Sequence, residues 1–322
     1  MSTILLTGAS GFIGQALAWR LAADGHDLRL AARAALPGRP AGAEVFHFAG
    51  LGPDTDWTRG LDGVEVVVHC AGRAHVMRET AADPLAEFRR CNVEGSIRLA
   101  SQAARAGARR FVFVSTAKVW GERTLPGQPF TVDAAPAPGD PYALSKLEAE
   151  RALAALAADS GMDVVIVRPP LVYGPGVKAN FLRMMQWLDR GWPLPLAAAD
   201  NRRSLVARDN LVDLLALCVD HPGAANQVLP VSDGEDLSVA ECLRRLGDAL
   251  GKPARLLPVP VWLLKSAARL LGRQAMAERL CAELRIDIGY TRRLLGWSPP
   301  HAPDDALART AADFRARATN QT

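Results

Sequence analysis

Short apolar runs alternate with longer amphipathic stretches through the first half of the chain. The runs at Thr3–Thr7, Asp27–Ala32, Val45–Phe48, Val64–His69, Phe111–Ser115 and Val164–Arg168 read as strands. Several are apolar nearly throughout, as parallel strands covered on both faces must be. Between them, helical patterns mark Phe12–Ala23, Pro84–Ala106 and Tyr142–Ala158. In the first of these, Ile13, Leu17 and Leu21 recur every fourth residue as a buried stripe, and Asp24 and Gly25 stop the helix. Alternating β and α elements predict an α/β fold, a doubly wound parallel sheet of the Rossmann kind. Right-handed crossovers then place every strand's carboxyl end on one edge, where ligands bind.

After Arg168 the texture changes. Pro169, Pro170 and the run Gly174-Pro175-Gly176 break regular structure, and helical patterns dominate from Phe181 onward. Ser238 and Glu241 form a Ser-x-x-Glu capping box at the start of one helix. The expected organisation is a dinucleotide-binding domain over 1–168 and a smaller, mostly helical lobe over 169–322. Some elements of the second part are free to return to the first sheet. The proline-rich stretch 125–141 is expected as a loop at the ligand edge. The strongly apolar segment Val261–Leu271 is expected as a packed helix of the small lobe rather than a membrane-surface helix.

Composition narrows the class. A chain of 322 residues, 49% hydrophobic and 22% charged, has material for one large domain and a smaller appendage. Its net charge is +4, with basic residues scattered among acids. That excludes a nucleic-acid tail and suits a mildly basic cleft for an anionic substrate. The chain opens on a strand without a charged leader, and no stretch reaches the roughly 18 apolar residues of a membrane span, so neither a signal peptide nor a transmembrane segment is expected. The five cysteines lack C-x-x-C spacing, which predicts reduced thiols in a cytoplasmic protein. The six histidines show no ligand spacing, and no metal is expected.

The chemistry begins at Thr7-Gly8-Ala9-Ser10-Gly11-Phe12-Ile13-Gly14, between the first strand and the first helix. Gly8 allows the tight turn, Gly11 lets backbone approach a pyrophosphate, and Gly14 lets the helix pack closely on the sheet. The helix N-terminus supplies free N–H groups for the phosphates. Further along, Asp140 and Pro141 read as an N-cap and first helical residue. Tyr142 and Lys146, four apart, then share a helical face. An ammonium near a phenol favours phenolate and draws its pKa down from about 10, making Tyr142 a usable acid or base near neutrality.

The T-G-x-x-G-x-x-G spacing resembles the extended short-chain dehydrogenase/reductase family. The resemblance continues through His69-Cys70-Ala71-Gly72, Asn92-Val93-Glu94-Gly95, Tyr142-Ala143-Leu144-Ser145-Lys146, the stretch from Arg168 to Gly176, and Leu295-Gly296-Trp297-Ser298-Pro299. Within that family the chain looks like the NAD-dependent epimerase/dehydratase group of sugar-nucleotide enzymes. The resemblance implies a catalytic set of Thr116, Tyr142 and Lys146, with Thr116 favoured over Ser115. It implies cofactor contacts from Gly8, Gly11, Phe12, Ile13 and Gly14, then from Ala71, Gly72 and Pro169, and from Tyr142 and Lys146 as well. Asn180 and Arg203 resemble the family's diphosphate-binding pair, and a guanidinium suits a phosphate. Arg73 and His75 are candidates to line the sugar pocket, and Asn92 to support the site's backbone.

Departures from the family pattern are also informative. Where 4,6-dehydratases carry Asp-Glu after the catalytic Thr, this chain has Ala117 and Lys118, so dehydration is not expected. No Cys/His pair sits where a 3,5-epimerase would place one. The second strand ends in Ala32 and Arg33 instead of a ribose-binding acid, and Gly50 replaces the acid expected after the third strand. The cofactor is therefore NAD or NADP, with NADP favoured through Arg33. The leading reading is chemistry at C4 of a UDP-hexose or UDP-N-acetylhexosamine, with 4-keto reduction favoured over 4-epimerisation. A non-catalytic NAD(P)-sensing regulator and a ketoreductase for other small molecules are the rivals. The partners expected are a nucleotide sugar, no nucleic acid, and a second copy in a homodimer.

Overall fold

A computed structural model describes residues 1–74, 83–270, 272 and 274–319. Seven strands form one parallel sheet: β1 (Thr3–Thr7), β2 (Asp27–Ala32), β3 (Glu44–His47), β4 (Val66–His69), β5 (Arg110–Val114), β6 (Asp163–Arg168) and, from the second half of the chain, β9 (Val228–Pro230). Their order is β3-β2-β1-β4-β5-β6-β9. The direction of winding reverses between β1 and β4, which opens the crevice where a doubly wound sheet takes its ligand. A second sheet holds β7 (Leu171–Tyr173), β8 (Arg202–Ala207) and β10 (Asp236–Ser238) in the order β10-β8-β7.

Twelve α-helices lie among the described residues. Those of the first half are α1 (Phe12–Ala23), α2 (Thr58–Leu61), α3 (Pro84–Phe88), α4 (Gly95–Arg105) and α5 (Pro141–Ser160). The second half has α6 (Ala179–Asp189), α7 (Arg208–Asp220), α8 (Val239–Leu250), α9 (Val261–Leu270), α10 (Gln274–Cys281), α11 (Gly289–Leu295) and α12 (Pro303–Thr319). The bounds of β1, β2 and α1 are those the periodicity predicts.

Strand alternation divides the core. Ile4, Leu6, Val66, Val68, Val112 and Val114 point to the face covered by α1 and α7. Leu5, Val67, Phe111, Phe113, Val164 and Ile166 point to the face covered by α4 and α5. Both sets are buried, which is why these strands read as unbroken apolar runs. A third cluster, with Phe181, Met185, Leu243, Leu246 and Leu307, fills the second lobe. The Ser238 box forms as expected: its Oγ accepts from the Glu241 N–H at 3.0 Å, and its own N–H donates to Glu241 Oε2 at 2.9 Å. Gly251 ends α8 in the left-handed region.

One expectation is refined and one is corrected. The stretch 84–106 is helical as expected as far as Arg105, but a π-helical turn, Arg89–Glu94, lies between α3 and α4 and turns Asn92 inward. The expectation of a packed helix over Val261–Leu271 is corrected in part: α9 rests Leu264 on the small lobe's core, but none of its residues is buried.

Candidate active site

The first βα turn closes tightly. Gly8 has φ +72°, and a Cβ there would stand 2.8 Å from the Ala71 amide nitrogen. A Cβ on Gly14 would stand 2.2 Å from the Gly8 carbonyl oxygen, closer than any side chain tolerates. Gly11 caps α1 with no side chain over the helix end, and its own N–H turns back to the Gly8 carbonyl at 2.8 Å. The first-turn N–H groups, those of Phe12 and Ile13 included, have no partner within the helix. A bare cradle with a positive helix end, at the reversal point of the sheet, fits a dinucleotide's pyrophosphate.

The neighbouring strand is locked by a buried imidazole. Thr7 Oγ1 lies 2.6 Å from His69 Nδ1, His69 Nε2 lies 2.9 Å from Ser96 Oγ, and the Ala71 N–H donates to Thr7 Oγ1 at 3.2 Å. Burial, with the Lys146 ammonium adding to it, pushes the His69 pKa down to about 3. His69 is thus a neutral wedge joining β1, β4 and α4.

Beyond β4 the chain passes Ala71, Gly72 and Arg73. The Arg73 N–H donates to Asn92 Oδ1 at 2.7 Å, and Asn92 Nδ2 donates to the Arg73 carbonyl and to Ser145 Oγ, each at 3.0 Å. Ser145 Oγ donates in turn to the Tyr142 carbonyl at 2.8 Å. The inward turn at Asn92 therefore ties the exit of β4 to the start of α5. Gly72 is needed here, because a Cβ would press on Asn92 Oδ1 at 3.1 Å. The Arg73 guanidinium lies over the Phe88 ring at 5.4 Å, and Phe88 meets the Tyr142 ring at 6.0 Å. His75 lies outside the described residues.

The end of β5 is fastened to α5 at three points. Thr116 caps a short turn, its Oγ1 accepting from the Lys118 N–H at 3.3 Å. Lys118 Nζ reaches Asp140 Oδ2 at 2.6 Å, and Asp140 caps α5 by accepting from the Ala143 N–H at 2.7 Å. Lys146 is buried, with its ammonium 3.8 Å from the centre of the Phe113 ring. One turn further, the buried Glu150 accepts from Ser115 Oγ and takes both arms of Arg168 at 3.0 and 2.5 Å. Arg168 stacks over Trp120 at 4.6 Å. One carboxylate thus joins β5, α5 and β6. Pro169, just beyond β6, is buried and its carbonyl accepts from the Ala117 N–H at 2.8 Å.

Electrostatics differ from the expectation for Tyr142. Burial, helped by the nearby Asp140 charge, raises its pKa above the ordinary phenol value. Lys146 is shifted as well: burial pushes it down to about 7 against the opposing pull of Glu150 and Cys70.

The remaining candidates are spread out. Arg33 is exposed at the end of β2. Asn180 is exposed in the first turn of α6, directly after Ala179, whose φ of +55° is rare for a residue with a Cβ. Arg203, on β8, is half-buried and donates to the Ala282 carbonyl at 2.8 Å, and burial lowers its pKa. Sequence reasoning passed over Glu150, Phe113, Phe88 and the Lys118–Asp140 pair. Glu150 had a visible signal, an acid four residues after Lys146 on a buried helix face.

Glycine cradle, reversed sheet and a Thr, Tyr and Lys set at one edge define a short-chain dehydrogenase-type α/β protein. The chain belongs to the NAD dependent epimerase/dehydratase family, matching it over residues 4–231. It is 46% identical over 313 residues to a UDP-glucose 4-epimerase of Vibrio cholerae, covering 97% of this chain and 95% of that one. Among solved structures, MoeE5 in complex with UDP-glucose and NAD is similar with a TM-score of 0.78 at 24% identity, covering 98% of this chain and 99% of its own. The UDP-glucuronic acid 4-epimerase of Bacillus cereus in complex with NAD gives a TM-score of 0.77 at 19% identity over 98% of this chain and 99% of its own. These two likenesses speak for the fold.

Proposed function

We propose that this chain is an NAD(P)-dependent enzyme that moves a hydride at C4 of a UDP-linked hexose or N-acetylhexosamine, working as a 4-epimerase. One observation carries the reading: Thr116, Tyr142 and Lys146 stand at the edge beside the glycine cradle in a chain 46% identical, nearly end to end, to a UDP-glucose 4-epimerase. Gly8, Gly11, Phe12, Ile13, Gly14, Ala71, Gly72 and Pro169 would hold the dinucleotide. When bound, that cofactor supplies hydride exchange.

The chain's own residues handle the proton and the pose. Tyr142 Oη takes the proton from the C4 hydroxyl as the carbinol is oxidised and returns it on reduction. The Lys146 ammonium stabilises the Tyr142 phenolate that accepts this proton, offsetting the rise that burial imposes. Thr116 Oγ1 holds the same sugar oxygen. Arg203, braced on the Ala282 carbonyl, and Asn180 take the diphosphate, and Arg73 borders the sugar. Ala117 and Lys118 put no carboxylate beside Thr116, so elimination across C5–C6 is not part of the cycle.

A second reading, 4-keto reduction, is favoured by the end of β2. Ala32 offers no carboxylate to the ribose hydroxyls, and the exposed Arg33 suits a 2′-phosphate, so NADP(H) would bind and exchange at each turnover. One experiment separates the two. The protein is purified without added cofactor, its nucleotide content is read, and epimerisation and NAD(P)H consumption are assayed on UDP-sugars, with NADH and NADPH titrations alongside. Stoichiometric bound NAD with epimerisation and no net consumption supports the 4-epimerase; an empty protein that consumes NADPH establishes the reductase. No turnover in either assay, with nucleotide bound, favours a sensing role. A homodimer belongs to the same reading and is checked by light scattering.

A further inference from the structure

Helix α9 follows the β-like segment around Leu256 and carries Val261-Trp262-Leu263-Leu264-Lys265-Ser266-Ala267-Ala268-Arg269-Leu270. Leu264 leans on the second-lobe core. The opposite side is bare: Trp262 is 69% exposed and Leu270 89%, with Leu263 and the preceding Leu257 also exposed. Trp192, 49% exposed beneath the Arg190 guanidinium at 5.1 Å, stands two residues before the strand-like pairing with this segment. Its neighbour Leu194 bridges to Leu256 and accepts from the Leu257 N–H at 2.8 Å, which brings the end of α6 beside the entry to α9.

Charge singles out this surface. Residues 251–273 include five basic side chains, Lys252, Arg255, Lys265, Arg269 and Arg273, and no Asp or Glu. The whole chain sums to +4, so this stretch carries +5 and everything else −1. Lys252 is paired with Asp189 at 2.6 Å, whereas Lys265 and Arg269 are exposed and in no ion pair among the described residues. Four apart on the helix, they run along one border of the apolar strip. Trp and Leu outward with cations on the flank is the pattern of a helix that lies in a bilayer interface. Two copies of the chain joined across this face would set like charges against each other. An anionic lipid surface has the complementary sign. No described helix is long and apolar enough to cross a membrane, so the contact is with the surface.

We propose that the outer face of α9, with Leu257 and Trp192, docks on an anionic lipid bilayer. The test is flotation of the full-length protein with phosphatidylcholine–phosphatidylglycerol vesicles, against phosphatidylcholine alone. Wild type floats with the anionic vesicles only and is released as salt screens the cations. The double variant Lys265→Gln/Arg269→Gln binds roughly tenfold or more weakly, as does Trp262→Ala/Leu263→Ala. Both keep the wild-type melting temperature and far-UV dichroism, since none of the four side chains is buried. Wild type that stays unbound at low salt, or variants that float as wild type does, would overturn the proposal. So would a wild-type dimer in vesicle-free solution that Trp262→Ala/Leu263→Ala converts to monomer, because a second copy would then own the face.

Discussion

Lys146 lies one helical turn from Tyr142 and one turn from Glu150, so α5 strings the reacting phenol, its cation and a buried carboxylate along adjacent turns. Replacing Tyr142 with Phe should lower turnover by roughly 10²–10⁴, the scale of a lost acid/base. Nucleotide binding should survive; a variant within threefold of wild type in a steady-state assay removes Tyr142 from its role. Lys146 gives a stability signature in the nucleotide-free protein. Its pKa falls from 10.5 to about 7 on folding, so between those values the unfolded chain holds a proton that the folded chain has shed. Stability should therefore rise with pH through that window and be lowest below it. Lys146→Met should flatten the rise in melting temperature measured across the same range. Glu150→Gln leaves the Arg168 guanidinium buried beside a neutral partner and should cost about 3 kcal/mol in urea unfolding. The Tyr142 and Lys146 spacing was readable because both reactive groups fall on one helical face. What the string of residues hid was burial, which pushes Tyr142 the opposite way from the expected shift.

Among the elements, periodicity succeeded where strands are fully covered and helices have one buried stripe. It failed at β7, β9 and β10, three-residue strands too short to display a period of two. At 84–106 it found the helix but not the π turn that the backbone inserts to bring Asn92 to Ser145. Such turns gather at functional sites, and nothing in the residue types marks this one. For α9, an apolar stretch looks the same whether it is packed inside or bare outside. The turn from β1 into α1 was the most legible element, because three glycines at fixed offsets have few other uses. Gly14→Ala should test it: a methyl 2.2 Å from the Gly8 oxygen must push α1 away from β1. Dinucleotide affinity in a fluorescence titration should fall at least tenfold, by about 1.4 kcal/mol or more. Gly11→Ala, with its Cβ 3.0 Å from the same oxygen, should be milder.

At the level of the whole molecule, the two halves of the chain are interleaved rather than set side by side. β9 pairs with β6 from Ile166–Val228 to Arg168–Pro230. Arg110, buried on β5, donates to the carbonyls of Cys218, Val219 and His221 at the end of α7, at 3.0 to 3.2 Å. A chain stopped at residue 168 would leave β6 as a bare edge and take from the Arg110 cation its three carbonyl acceptors, leaving only Asp163. It should aggregate on expression; a monomeric, nucleotide-binding fragment in size-exclusion chromatography would show otherwise. The interleaving also governs how relatives can be recombined. Hybrids meant to exchange substrate choice between family members should fail when spliced after β6, where the two parents' β6 and β9 must zip together. A splice after Pro230 keeps the whole seven-stranded sheet from one parent, so folded hybrids should concentrate there, with Asn180 and Arg203 staying with that parent.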